Sequence, residues 1–248
     1  MTRTEPGLVL SLFPGIGMLD RAFEEEGFCV VRGPDLLWGG DMRAFHPPPG
    51  KFDGVIGGPP CQAHSSLNRL NVKRGVPRAQ NLVPEFARCV EEAAPCWFLM
   101  ENVPAAPTPA CPSYSVQTFV LNNRELGQEQ NRRRRFWFGS QVAGASLLSA
   151  LIERQPENPV WVPTVCASGV AKPGTEHERG GRWPRLYGWA SWANLRKALV
   201  WQGFPPEMMD DTPFTLKGAF RMVGNGVPLP MGSDIARAVH RALKGATA

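Results

Sequence analysis

Short apolar runs recur along this chain, and each breaks into a turn marked by glycine, proline or an acid. "GLVLSLF" precedes "PGIG", "FCVV" precedes "RGPD", "FDGVIGG" precedes "PPC", "CWFLMEN" precedes "VP", and "RRFWFGS" closes the series. Short runs of this kind, bounded by turn residues, are strands. The intervals hold helical patterns. "MLDRAFEEEGF" puts Met18, Leu19, Ala22 and Phe23 on one face, with Glu24 to Glu26 outside and Gly27 as a stop signal. "NLVPEFARCVEEAA" is a second amphipathic helix, closed by Pro95. Strands alternating with helices predict an α/β domain with a mainly parallel sheet.

A chain of 248 residues with 43% hydrophobic content can bury a core as one large domain, or as a large one plus a small one. No run approaches the roughly 18 apolar residues of a membrane span. The start, "MTRTEPGLVLSLF", has an apolar patch too short for a signal peptide, so a cytoplasmic location is expected. Six cysteines (Cys29, Cys61, Cys89, Cys96, Cys111, Cys166) lack CxxC spacing, which predicts free thiols and no zinc site. The net charge of +5 is uneven: residues 1–131 carry 11 Lys/Arg against 14 Asp/Glu, and residues 132–248 carry 16 against 8. A basic second half suits a polyanion such as nucleic acid, or simply a soluble basic surface.

From about Ser140 the periodicity fades. Residues 156–192 are rich in Pro, Gly, Trp and Arg, and five of the eight tryptophans lie between 161 and 201. The expected plan is a domain over 1–140, completed by 201–248, around a small irregular domain at 141–200. The final helix, "SDIARAVHRALKG", takes Ser233 or Asp234 as its N-cap.

"GGPPCQAHS" carries the sharpest chemistry. Two prolines stiffen the loop after an apolar strand, so one thiol, Cys61, is held in place as a nucleophile would be. Glu101 ends another strand, so thiol and carboxylate should meet at the carboxyl-end crevice where α/β proteins bind ligands. A Glu capping its own loop is the plainer reading. "FPGIG" is a Rossmann-style turn, lacking a full GxGxxG and the Gly-Lys-Ser/Thr of a P-loop. Asp35 follows the second strand where an acid commonly takes ribose hydroxyls, and Asp41 follows the next expected strand end; each is equally an ordinary loop acid. In "QNRRRRFWFG", an extended backbone sends Gln130, Arg132 and Arg134 to one face and Arg133 and Arg135 to the other. One face would then serve a substrate and the other backbone phosphates.

Together these stretches resemble the C5-cytosine DNA methyltransferases, over nearly the whole chain and in that family's order. "LFPGIG" resembles the first S-adenosylmethionine motif, "GGPPCQAHS" the Pro-Cys loop, and "MENV" the Glu-Asn-Val motif. "LNNRELGQEQNRRRRFWFG" follows the Gln-x-Arg-x-Arg pattern, "ALVWQGFP" the motif after the recognition region, and "RMVGNGVP" the last cofactor motif. The resemblance implies a Rossmann-like S-adenosylmethionine-dependent methyltransferase fold with a small target-recognition domain, acting on double-stranded DNA as a monomer and without metal. Cys61 would attack C6 of a flipped-out cytosine, Glu101 would protonate or hydrogen-bond N3, and Arg134, with Arg132, would hold O2. Phe13 would stack on adenine, with Gly15, Ile16 and Gly17 at the methionine end. Asp35 would take the ribose and Asp41 the adenine amino group, and Met42, Pro60, Asn225 and Val227 would complete the cofactor contacts. Gln62, Ser65, Gln130, Arg133 and Arg135 would face DNA, joined by Arg179, Arg182 and Arg185 of the insert.

The sequence also departs from that pattern. His64 stands where a Phe is usual, and only "LLWGG" separates Asp35 from Asp41, so the helix usual there should be lost or reduced. Asn194 and Lys197 replace an expected Thr and Glu. This plan suits a phage-like or orphan enzyme. Two alternatives stay open: a non-catalytic DNA-binding relative, and a cytosine-modifying relative that acts on RNA or uses an altered donor. An insert of roughly 60 residues can supply few groove contacts, each worth about 1–3 kcal/mol, so a target of about two to four base pairs is expected.

Overall fold

The computed structural model describes residues 7–64, 79–141, 148–156, 162, 164–167 and 191–245. Six strands form one sheet: β1 (Leu8–Leu12), β2 (Cys29–Arg32), β3 (Gly54–Gly57), β4 (Trp97–Asn102), β5 (Ser115–Asn122) and β6 (Arg133–Ser140), in the order β2-β1-β3-β4-β6-β5. The pairs β1–β2, β1–β3 and β3–β4 are parallel, while β6 runs antiparallel to both β4 and β5. The helices among the described residues are α1 (Met18–Glu25), α2 (Val83–Ala93), α3 (Trp192–Trp201), α4 (Leu216–Asn225) and α5 (Leu229–Gly245).

The central strands are apolar on both faces because both faces are covered. Val9, Ile56, Trp97, Leu99, Phe136 and Phe138 pack with Leu19 and Phe23 of α1 and Ile235 and Val239 of α5. Their strand neighbours Leu10, Val55, Phe98, Met100 and Trp137 pack on the opposite face with Val83, Phe86 and Val90 of α2. A third cluster joins Met18 to Leu195 and Leu199 of α3 and Phe220 and Val223 of α4. Helix α3 therefore runs through residue 200, where a domain boundary was expected, and most of the rest of 141–200 lies outside the described residues.

The α/β expectation holds, and three details change. Strand β5 was not anticipated: its first half carries Ser115, Gln117 and Thr118 and only Leu121 and Asn122 of the strand are buried, so the apolar signal is weak. The segment before β3 contains two short 3-10 turns, Leu36–Trp38 and Met42–Ala44, and no strand ends at Asp41. Asp35 and Asp41 each cap one of these turns by accepting from the amide two residues on. Helix α5 starts at Leu229, before Ser233 and Asp234, since Pro230 is tolerated in a first turn whose amides need no helical partner.

Strand β4 is wedged in by two aromatic–glycine pairs. Trp97 faces Gly54 across β3, and Phe98 faces Gly139 across β6. A Cβ at Gly54 would lie 2.2 Å from the Trp97 ring, and one at Gly139 would lie 2.0 Å from the Phe98 ring. Each ring occupies the space its glycine leaves. Gly139→Ala should therefore push Phe98 out of its packing and cost about 1–3 kcal/mol, as overpacking does. Thermal unfolding checks this, and a melting temperature unchanged within a degree would show that the ring has room to move.

Candidate active site

The turn after β1 is held in an uncommon shape. Phe13, Gly15 and Gly17 all have positive φ, at 56°, 56° and 78°. For Gly15 and Gly17 this costs little, but Phe13 is a bulky residue in a region that favours glycine, as at many ligand sites. Gly17 then starts α1 and donates to Pro14 O at 2.8 Å. Asp35, just beyond β2, locks the turn from the side: its carboxylate accepts from Gly15 N at 2.9 Å and Leu37 N at 2.8 Å. The Trp38 indole donates to Gly15 O at 2.8 Å.

The thiol loop leaves β3 through Gly58, Pro59 and Pro60 and places Cys61 at the head of a 3-10 turn. Prolines cannot anchor through an amide, so the anchor comes from β4: Asn102 Nδ2, fully buried, donates to Pro59 O at 2.8 Å. His64 closes the turn onto α2, its Nε2 lying 3.0 Å from Asn81 Oδ1, which also accepts from Val83 N. Glu101 sits beside Asn102 and is only 6% exposed. A side chain at Gly58 would come within 3.1 Å of Glu101 Oε2, so the glycine makes room for the carboxylate. Arg134 of β6 brings its Nε to 2.8 Å from Glu101 Oε1. This is an ion pair by proximity, since Oε1 receives no well-aligned hydrogen bond among the described residues.

Burial raises the Cys61 thiol above its ordinary value, and the Glu101 charge adds to the rise, while Arg134 and Arg132 pull it back. Burial also raises Glu101, against the same two arginines. Burial thus disfavours the charged form of both groups, and the two arginines favour it.

Gln130 and Arg132 do not face a substrate. Both are fully buried. Arg132 donates to three carbonyls: Val165 O at 2.8 Å, Gly224 O at 2.9 Å and Gly226 O at 2.6 Å. Burial and Arg134 lower its guanidinium to about 9, which leaves it charged at neutral pH. Gln130 donates to Trp201 O at 2.9 Å and accepts from Val165 N at 3.4 Å. The expected alternation is present, with Arg133 exposed on the other face. Only Arg134 of the inward set reaches the cavity, because the other two knot 165, 201, 224 and 226 together.

A cavity of about 620 Å³ opens at the carboxyl ends of β1 to β4. It gathers Phe13, Gly15, Ile16, Asp35, Pro60, Cys61, Gln62, Glu101, Arg134, Asn225 and Val227, all named from sequence. Gly17, Asp41, Met42 and Arg132 do not line it. Asp41 is turned to Arg43, whose Nε lies 3.0 Å from both carboxylate oxygens and which holds the carboxyl down at about 2. Met42 is buried among α2 side chains. The Arg135 guanidinium lies over the Trp137 ring at 5.8 Å. Ser65, Arg179, Arg182 and Arg185 lie outside the described residues. Sequence reasoning missed Leu36, Leu37, Gln80 and Arg221, which also line the cavity. Leu36, 65% exposed, had one signal: an apolar residue directly after Asp35. Among the described residues no group of three His, Cys, Asp or Glu could hold a metal ion, and no helix is long and apolar enough to cross a membrane.

A parallel sheet ending in an antiparallel pair, with its cavity at the carboxyl ends, defines a Rossmann-like fold of the S-adenosylmethionine-dependent methyltransferase type. A solved structure of a DNA modification methyltransferase candidate encoded within an E. coli prophage matches it with a TM-score of 0.61 at 17% identity, covering 96% of this chain and 99% of that one. The type II methyltransferase M.NgoPII of Neisseria gonorrhoeae is 29% identical over 172 residues, 56% of this chain and 49% of that protein. The type II methyltransferase M.AquIA of Picosynechococcus sp. is 31% identical over 183 residues, 54% of this chain and 72% of that protein. The model of the C-5 cytosine-specific DNA methylases matches residues 40–160, and the chain belongs to this family. It spans about half the length of M.NgoPII and of its Fusobacterium nucleatum counterpart M.FnuDI (49% and 46%).

Because only the thiolate is nucleophilic and the Cys61 thiol is raised, alkylation of Cys61 by iodoacetamide should climb about tenfold per pH unit up to pH 9 without levelling. Arg134→Gln removes a cation that favours the thiolate and should slow this alkylation severalfold at any pH in that range. Peptide mass spectrometry gives the rate at Cys61. A plateau below pH 8, or an Arg134→Gln rate at or above wild type, would contradict the electrostatics described.

Proposed function

We propose that this chain methylates C5 of cytosine in double-stranded DNA, with S-adenosylmethionine as donor. The observation that carries the reading is the meeting of Cys61, Glu101 and Arg134 in the same cavity as Phe13 and Asp35. The cavity suits the donor. Its volume of about 620 Å³ is in the range of cofactor sites. A Cβ at Gly15 would meet nothing within 4 Å, so the backbone there stands open to a ligand. Phe13 would stack on the adenine, and Asp35 would accept from the ribose while the Gly15 and Leu37 amides hold its carboxylate in place. Gly15 and Ile16 would lie along the methionine end, and Pro60, Asn225 and Val227 would close the other side. Asp41, held outside by Arg43, is not assigned to the adenine. When bound, S-adenosylmethionine supplies an electrophilic methyl group on its sulfonium.

The chain's own residues make the cytosine able to accept that group. C6 cannot be reached inside a duplex, so the base is extruded into the cavity. Cys61 gives its proton to water, and Sγ bonds to C6 as the C5–C6 π electrons move toward C5 and, through C4, onto N3 and O2. Glu101, whose carboxyl burial raises above its ordinary value, donates a proton to N3 as charge develops there. Arg134 pairs with Glu101 and reaches O2. After C5 is methylated, its hydrogen passes to water as a proton, the C5–H electrons restore the C5–C6 double bond, the Sγ–C6 bond breaks to release the thiolate, and N3 returns its proton to Glu101. The buried Asn102–Pro59 bond suits this cycle, because attack depends on a thiol held to within a fraction of an ångström. The segment 141–200 is proposed to read the DNA, anchored to the catalytic floor through Val165 and Arg132.

DNA carrying 5-fluorocytosine at the target should trap the enzyme, since fluorine cannot leave as a proton leaves. With S-adenosylmethionine present, wild type should give an adduct that survives denaturation and maps to Cys61, and Cys61→Ser should give none. An adduct on Cys29, Cys89 or Cys96 would move the site. Glu101→Gln, which keeps the shape and removes the acid, should turn over about 10²–10⁴-fold more slowly while still binding cofactor.

A further inference from the structure

The titratable side chains lining the cavity are Asp35, Cys61, Glu101, Arg134 and Arg221. Four have a partner or a role: Asp35 receives two amides, Glu101 pairs with Arg134, and Cys61 is the nucleophile. Arg221 has neither. It is exposed, and among the described residues it makes no hydrogen bond or ion pair. It lies on α4 one turn before Asn225, so the two share a helix face, and both line the cavity. That helix is well fixed. Thr215 caps its start by accepting from Gly218 N, and Arg132 and Gln202 hold the carbonyls of Gly224 and Val223 at its end. A guanidinium is thus presented to the cavity from a rigid base with all its donors unused.

We infer that Arg221 is the anion-holding residue of this cavity, gripping a carboxylate or phosphate through the planar fork that suits either group. The inference rests on the proposed methylation, which brings two such anions here: the carboxylate of the cofactor's methionine part and the phosphates flanking the extruded nucleotide. Whichever it holds, the contact fixes one reactant against the Asn225 side of the cavity, opposite the thiol loop in the sequence and supplied by a different helix.

The test compares wild type with Arg221→Gln and Arg221→Lys, with circular dichroism confirming the fold. Calorimetry measures binding of S-adenosylhomocysteine and of 5′-methylthioadenosine, which lacks the carboxylate; fluorescence anisotropy measures binding of a DNA duplex across a salt series. If Arg221 holds the carboxylate, Arg221→Gln should weaken S-adenosylhomocysteine about tenfold or more and leave 5′-methylthioadenosine unchanged. If it holds a phosphate, S-adenosylhomocysteine binding should be unchanged, and DNA binding should weaken with the slope of log affinity against log salt reduced by about 0.9. Arg221→Lys should recover part of either loss, since it keeps the charge and not the fork. Binding of both ligands within twofold of wild type in Arg221→Gln would overturn the inference alone. A wild-type chain that binds neither would overturn the methylation reading with it.

Discussion

Most of the site depends on one buried cation. The Arg132 guanidinium has left water completely, at a cost repaid only if its donors are satisfied and its charge is answered nearby. Three carbonyls from two distant segments take its terminal nitrogens, and Nε alone lacks a partner among the described residues. The result is a pin. Val165, the end of α4, and the Gly226 turn that follows it are drawn to the base of β6, whose next inward residue is Arg134. Asn225 and Val227 owe their place in the cavity to those carbonyls, and Arg134 owes its position to the strand that the pin secures.

The same buried charge shapes the chemistry. A thiol and a carboxylic acid in a low-dielectric cavity both resist ionising, and the Glu101 charge makes ionisation of the thiol harder still. Arg134 and Arg132 oppose this from one side. The balance suits a reaction in which the thiol must become anionic for attack and neutral acid must be at hand for N3. A freely ionised thiolate beside an ionised Glu101 would waste that acid, and two cations without Glu101 would leave none. The Gly58 gap and the Asn102–Pro59 bond keep the groups close enough for the balance to operate.

What was legible in the sequence follows the reach of each interaction. Cys61, Glu101 and the Phe13–Gly17 turn announce themselves because strand ends and stiff loops are local, and parallel strands bring their carboxyl ends together. The alternation in "QNRRRR" was legible too, but not its destination. That Gln130 and Arg132 point inward follows from the period of a strand, whereas their capture by residues 165, 201, 224 and 226 is a contact over 33 to 94 positions that no local pattern carries. Asp41 was misplaced for the opposite reason. Its fate is wholly local, set by an amide and an arginine two residues away, and the strand it was expected to follow has no room to form. Strand β5 escaped notice because its partly exposed faces dilute the apolar signal, while the register of β4 against β6 is what brings Arg134 beside Glu101.

These side chains are proposed to methylate cytosine in DNA through Cys61. Nucleoside mass spectrometry of DNA from cells lacking other cytosine methylation, expressing either wild type or Cys61→Ala, tests it most directly. Wild type should give 5-methyldeoxycytidine and Cys61→Ala none at equal protein levels. No 5-methyldeoxycytidine with folded wild-type protein, or similar levels with Cys61→Ala, would show that Cys61 does not methylate cytosine in DNA.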